Sequence, residues 1–176
     1  MQSIEGDGLQ SGTKLMDTDA LMEQHVDRIL RLRHPPLNTQ ADLAGEMTWL
    51  MTTRLGSAPD AMAPDGSEVR LLSRTSRGSM AHFALAPHAV SKAVAHKTVE
   101  EIWYFVRGHG RMWRRLESAE EVTEVTAGLS VSIPRGTRFQ FRNDGEEPLE
   151  AIGVTMPPWP GADEAFEVEG VWEPTA

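Results

Sequence analysis

The stretch Val94-Ala-His-Lys-Thr-Val-Glu-Glu-Ile-Trp-Tyr-Phe-Val-Arg-Gly108 decides how this chain is read. Ala93–Thr98 is short and β-branched, and Glu101–Arg107 is an aromatic and aliphatic run, so two antiparallel strands joined by a tight turn are expected. Gly108-His109-Gly110 would then make a hairpin turn, because glycine adopts the positive φ such turns require. On this reading the His96 imidazole and the Glu101 carboxylate sit on neighbouring strands.

Working outward, Glu68–Arg74 and Met80–Ala86 read as strands around a Ser-Arg-Gly turn. Arg111–Leu116, a Glu-rich stretch to Thr126, Ser130–Ile133, Thr137–Arg142 and Leu149–Met156 follow, with Asn143-Asp-Gly145 as a turn. Many short strands with regular turn punctuation predict a mainly β protein, a closed or double-sheet barrel.

The same residues carry a family resemblance. His96, Glu101 and Gly108 lie at the spacing of the first cupin motif, which runs Gly, five residues, His-x-His, three or four residues, Glu, six residues, Gly. Gly128, Pro134, Gly136 and Asn143 lie at the spacing of the second, which runs Gly, five residues, Pro-x-Gly, two residues, His, three residues, Asn. From about Glu68 to Met156 the chain resembles the cupins, which implies a jelly-roll double-stranded β-helix. Three positions depart from the pattern. His88 stands at the leading Gly, Val94 at the first His and Phe139 at the last His. In metal-binding cupins both motif-one histidines, the Glu and the motif-two His hold the ion, so only His96 and Glu101 survive here as ligands if a metal is present.

Side chains alternate across a strand. If His96 and Glu101 point inward, as the resemblance implies, then Val94, Trp103 and Phe105 do too. Phe139 brings Phe141 with it, and Val131 and Ile133 join them. The expected interior is an apolar, aromatic pocket for a small organic ligand, lined by Val94, Trp103, Phe105, Phe139 and Phe141. Catalytic metal sites usually have at least three protein ligands, and the resemblance supplies two. His82 is a candidate third. No cofactor is therefore required, and a divalent iron, manganese, nickel or zinc ion is the alternative. Without a metal, His96 and Glu101 form a candidate acid–base pair. A carboxylate raises an imidazole pKa while apolar walls oppose the charged forms, so the net direction is open.

Other signatures are excluded. Gly128-Leu-Ser130-Val-Ser132 lacks the closing glycine of a nucleophile elbow, and no phosphate loop or dinucleotide fingerprint occurs. Zero cysteines remove thiol and disulfide chemistry, and 26 acids against 17 basic residues, a formal charge of −9, oppose nucleic acid and anionic membrane as partners. Arg114 alternates to one face of its strand and Arg111 and Arg115 to the other, and a solvated face is the expectation for this cluster.

The 176 residues divide on paper into an N-terminal arm (1–16), a helical extension and linker (17–66), the barrel (67–156) and a Pro/Trp-rich tail (157–176). Leu21, Met22, Val26, Ile29 and Leu30 recur at helical spacing between Thr18 and His34, before Pro35-Pro36. Acids interleave with arginines there, which does not fit a DNA-reading module. Prolines make regular structure in the tail unexpected, and its tryptophans either pack outside or cover a barrel mouth. No apolar run reaches the roughly 20 residues of a membrane helix, and an export signal is not evident, so a cytoplasmic protein is expected; the resemblance to cupin barrels implies a homodimer, and the pocket a small-molecule ligand. Two functions stay open, an isomerase, cyclase or lyase type of enzyme and a non-catalytic metabolite binder.

Overall fold

The computed structural model describes residues 50–176. The proposed arm and the Thr18–His34 helix lie outside the described residues. Among the described residues eleven strands form, β1 (Ala61–Met62), β2 (Glu68–Arg74), β3 (Ser79–Leu85), β4 (Val94–His96), β5 (Glu100–Arg107), β6 (His109–Leu116), β7 (Ala119–Thr126), β8 (Ser130–Ile133), β9 (Arg138–Asn143), β10 (Leu149–Met156) and β11 (Ala165–Glu167). They make two antiparallel sheets, ordered β1-β2-β3-β10-β5-β8 and β11-β4-β9-β6-β7.

Alternation builds the interior as expected. Along β5, Glu101, Trp103 and Phe105 are buried while Ile102, Tyr104 and Val106 face out; along β10, Leu149, Ala151, Gly153 and Thr155 are buried. Register puts Thr155 beside Glu101 and Gly153 beside Trp103. A Cβ on Gly153 would lie 2.7 Å from the Phe83 ring, so glycine there lets Phe83 stack on Trp103 at 4.7 Å between ring centroids. Val94, Trp103, Phe105, Val131, Ile133, Phe139 and Phe141 all belong to one buried cluster. Each large side chain contributes on the order of 2 kcal/mol by leaving water.

Two expected hairpins are not hairpins. β4 pairs with β9 and β11, and β5 with β10 and β8, so the chain crosses from one sheet to the other at residues 97–99. Gly108 makes a second crossing between β5 and β6 rather than a hairpin turn. Its φ is 82°, and a Cβ would meet the Pro148 carbonyl oxygen at 2.6 Å. Local sequence signals a turn equally well in both cases; which sheet the next strand joins is set by its distant partners. His88, at the place of the family's leading Gly, keeps a left-handed backbone with φ 60°, which costs a residue with a Cβ roughly 1–2 kcal/mol.

The tail is more ordered than its prolines suggest. Ala162–Glu164 makes one 3-10 turn, and Ala165–Glu167 adds to the edge of β4 as β11. Farther on, Gln140 fastens the chain end to the outer face of the five-stranded sheet. Its amide donates to the Ser91 and Trp172 carbonyls and accepts from Val171 and Trp172 N–H groups, so all four of its hydrogen-bonding positions are filled. Asn143 works similarly at the β9–β10 crossing, donating to the Leu85, Ala86 and Glu147 carbonyls and accepting from Gly145 N–H.

Candidate functional site

His96 and Glu101 face each other across the interior, from opposite sheets. His96 Nδ1 lies 3.9 Å from Glu101 Oε2, too far for a hydrogen bond. Glu101 is held on both oxygens, by the Trp103 indole N–H at 2.9 Å and by the Thr155 hydroxyl at 3.0 Å. His96 Nδ1 is buried with no partner among the described residues. Its ring meets Phe139 and Trp159 edge-on, at 5.3 and 5.2 Å between centroids.

The direction left open by the sequence is decided by burial. Desolvation lowers the His96 pKa to about 4, against the opposing charge of Glu164. Desolvation also raises the Glu101 carboxyl to about 7; the Trp103 and Thr155 hydrogen bonds oppose this, and the Asp65 and Glu164 charges add to it. Near neutral pH the imidazole is therefore uncharged, and the carboxyl is the group that gains and loses a proton. The two do not form an ion pair.

Two further polar side chains lie on the inner face of the five-stranded sheet. Continuing the pairing of Val94 with Phe139 and Ala95 with Arg138 by one residue sets Thr137 beside His96. Thr137 is buried, and its Oγ1 has no partner among the described residues. Arg114 is paired with Phe139 and so lies on the inner face, not on the solvated face expected for it. It reaches across to the other sheet, donating to the Ser132 carbonyl at 2.6 Å, and pairs with Glu121. Thr137 was within reach of sequence reasoning, being two residues before Phe139 on one strand, and Thr155 was not, since only the β5–β10 register brings it to Glu101.

The tail closes this end of the barrel. Trp159 N–H donates to Ser79 Oγ of one sheet while its ring touches His96 of the other. Glu164 anchors the strap, accepting from Thr98 N–H, Thr98 Oγ1 and Val99 N–H. Burial alone would raise its pKa, but these bonds outweigh it and hold the carboxyl below its ordinary range. Trp172 instead packs outside, 5.6 Å from the Arg142 guanidinium.

Among the described residues, the other histidines do not join His96. His82 pairs with Ile152 and Arg70 on the outer face of the six-stranded sheet, where its Nε2 lies 3.3 Å from Glu150. That corrects its candidacy as a third metal ligand. His88 and His109 are exposed at crossings, His88 beside Glu146. The residues present do not fit the family's metal cage. Val94 and Phe139 fill two ligand places with hydrocarbon inside the core, and both Glu101 oxygens are already engaged. Among the described residues, no group of three or more His, Cys, Asp or Glu is arranged to hold an ion. Likewise, among the described residues, no helix is long and apolar enough to cross a membrane.

Comparison with known proteins agrees with this architecture. Residues 81–155 match the cupin domain family. Over 166 residues the chain is 25% identical to the xanthan biosynthesis protein XanB of Xanthomonas campestris pv. campestris, covering 94% of this chain and 32% of that protein. The chain thus spans about a third of this relative. By structure it is similar to CapF in complex with 3-isopropenyl-tropolone (TM-score 0.51, 19% identity, 61% of this chain and 33% of that one). It is also similar to oxalate decarboxylase from Lactobacillus farciminis in a formate complex (TM-score 0.51, 21% identity, 58% and 31%) and from Bacillus subtilis at pH 4.6 (TM-score 0.51, 16% identity, 58% and 28%). These likenesses show the fold. With the motif spacings and the shared two-sheet barrel, residues 81–155 are a cupin domain.

Proposed function

We propose that the protein binds a small organic molecule at the Trp159-covered end of the barrel and exchanges a proton with it through Glu101, an isomerase, cyclase or lyase type of chemistry. One observation carries the reading. His96 Nδ1 is buried without a partner 3.9 Å from a carboxyl whose pKa is about 7, and Thr137 Oγ1, one register step past the β4–β9 pairing, is buried without a partner as well. Leaving a buried polar atom unpaired costs about 1–3 kcal/mol, so a ligand that pairs with both recovers that free energy. A ligand atom about 2.9 Å from both His96 Nδ1 and Glu101 Oε2 fits over their 3.9 Å gap. A carboxyl poised near neutrality suits general acid–base work, and the neutral imidazole then orients the reacting atom. Trp103, Phe105, Phe139, Phe141 and Val94 form the apolar wall behind it.

The test is a ligand screen by thermal shift, followed by turnover assays on any hit. Glu101→Gln is expected to keep binding and lose turnover, and His96→Ala to weaken binding. Turnover that survives Glu101→Gln would sink the acid–base role, and a ligand bound but never converted would identify a metabolite-binding protein instead. In this reading the protein works in the cytoplasm as a homodimer. The exposed Met80, Ile102, Tyr104 and Val106 on the outer face of the six-stranded sheet support pairing with a second copy, which sedimentation of the full chain would test.

A further inference from the structure

We propose that residues 157–163 are a gate over the interior site, swinging aside about Gly161 to admit a small molecule while the chain on either side stays docked. This rests on the reading that the His96 end of the barrel receives a ligand, and it adds how that ligand enters.

The need for a gate follows from burial. His96 keeps 6% of its surface exposed and Glu101 3%, so no molecule reaches the space between them unless something moves. The His96 ring is met by Phe139, which is in the core, and by Trp159, which is only half-buried. Moving Phe139 would break the core, and moving Trp159 would not.

The segment is held firmly at both ends and lightly between them. Before it, Met156 ends β10 paired with Glu100 of β5. After it, Glu164 accepts from Thr98 N–H, Thr98 Oγ1 and Val99 N–H, its carbonyl accepts from Lys97 N–H, and β11 pairs with β4. Among the described residues, the Trp159 N–H bond to Ser79 Oγ is the one hydrogen bond that ties 157–163 to the barrel. No residue in that range is buried. An element with few buried contacts and a single tie opens locally at low cost.

The sequence of the segment suits such a motion. Prolines at 157, 158 and 160 fix φ on both sides of Trp159, so the tryptophan travels with a stiff stretch of backbone. Gly161, with φ 146° and ψ −175°, occupies a region open essentially to glycine alone. Glycine also rotates with least restriction, which places the hinge between the stiff stretch and the Glu164 anchor.

The experiment reads His96 exposure with diethyl pyrocarbonate, a small electrophile that acylates uncharged imidazole, added to the full chain at pH 6.5 and followed by peptide mass spectrometry. In wild type, His96 is expected to label about tenfold or more slower than the exposed His88, at a rate unchanged by urea below the unfolding transition, as a local opening requires. Ser79→Ala removes the fastening bond and should speed His96 several-fold, and Trp159→Ala should bring it close to the rate of His88. His82, similarly buried on the outer face of the six-stranded sheet, should keep its wild-type rate in both variants. Three results would overturn the gate: a His96 rate equal to wild type in both variants, one that rises with urea in parallel with unfolding, or acceleration of His82 alongside His96. Labelling of wild-type His96 as fast as His88 would overturn it too, since the site would then stand open. No ligand enters this measurement, so a ligand screen without hits fails the binding reading and leaves the gate standing, and a failed gate leaves the interior site to the ligand screen.

Discussion

The indole N–H of Trp103 reaches Glu101 Oε2 at 2.9 Å from two residues along the same strand. The bond works against the desolvation that raises this carboxyl. Trp103→Phe keeps the ring against Phe83 and removes the donor. The Glu101 pKa is expected to rise above about 7, and stability to fall by about 1–3 kcal/mol. Carbon-13 titration of the Glu101 carboxyl and urea unfolding read the two effects, and an unchanged pKa would show that the bond does not tune this group.

Opposite pH dependences are expected from His96 and Glu101. The folded Glu101 pKa of about 7 lies above its ordinary 4.5, so the folded state binds a proton that the unfolded chain has released. Its contribution to stability is full below pH 4.5 and is lost as pH rises through 7. The folded His96 value of about 4 lies below 6.5, so its contribution is full above pH 6.5 and is lost as pH falls through 4. Between pH 4.5 and 6.5 the two slopes oppose each other. Glu101→Gln is expected to gain on wild type with rising pH by up to about 1.4 kcal/mol per unit, and His96→Gln to gain with falling pH. Urea midpoints across pH 4 to 8 measure both, and parallel profiles for all three proteins would contradict the assignment.

Glu164 holds the strap over the site through Thr98 and Val99. Glu164→Gln can still accept but loses the charge that strengthens those bonds. Faster amide exchange at Thr98 and Val99 is expected, together with a red shift of tryptophan emission as Trp159 meets water. Exchange rates equal to wild type would mean that β11 pairing alone secures the strap.

Gln140→Leu removes every hydrogen bond that fastens Val171 and Trp172 to the sheet. The Ser91 carbonyl loses a donor as well. A loss of about 2–4 kcal/mol is expected from several unpaired buried groups. Limited proteolysis should clip the chain end of the variant before that of wild type.

Cobalt(II) titration tests the altered cage. Wild type should show no visible absorption of bound cobalt and no change in Tm, because Val94 and Phe139 occupy ligand places with hydrocarbon. Val94→His with Phe139→His restores a four-donor set and is expected to take up one ion. Cobalt bound by wild type and lost in His96→Ala would overturn this account of the site.

Much of the barrel was legible along the chain because strand alternation is local. Glu68–Arg74, Ser130–Ile133 and Leu149–Met156 begin and end where hydrophobic pattern and turn residues put them. Val94, Trp103 and Phe105 follow from parity once His96 and Glu101 are taken as inward, and Phe141 follows in the same way from Phe139 at the place of the family's last His. Pairing between strands far apart in sequence is what only the tertiary structure decided. It put His96 and Glu101 in opposite sheets, turned His82 outward, brought Arg114 to the inner face and Thr155 to Glu101, and laid Trp159 against the imidazole. Neither proton affinity was readable from residue types, since each depends on how much water the surrounding chain excludes and on which donors that chain brings within reach.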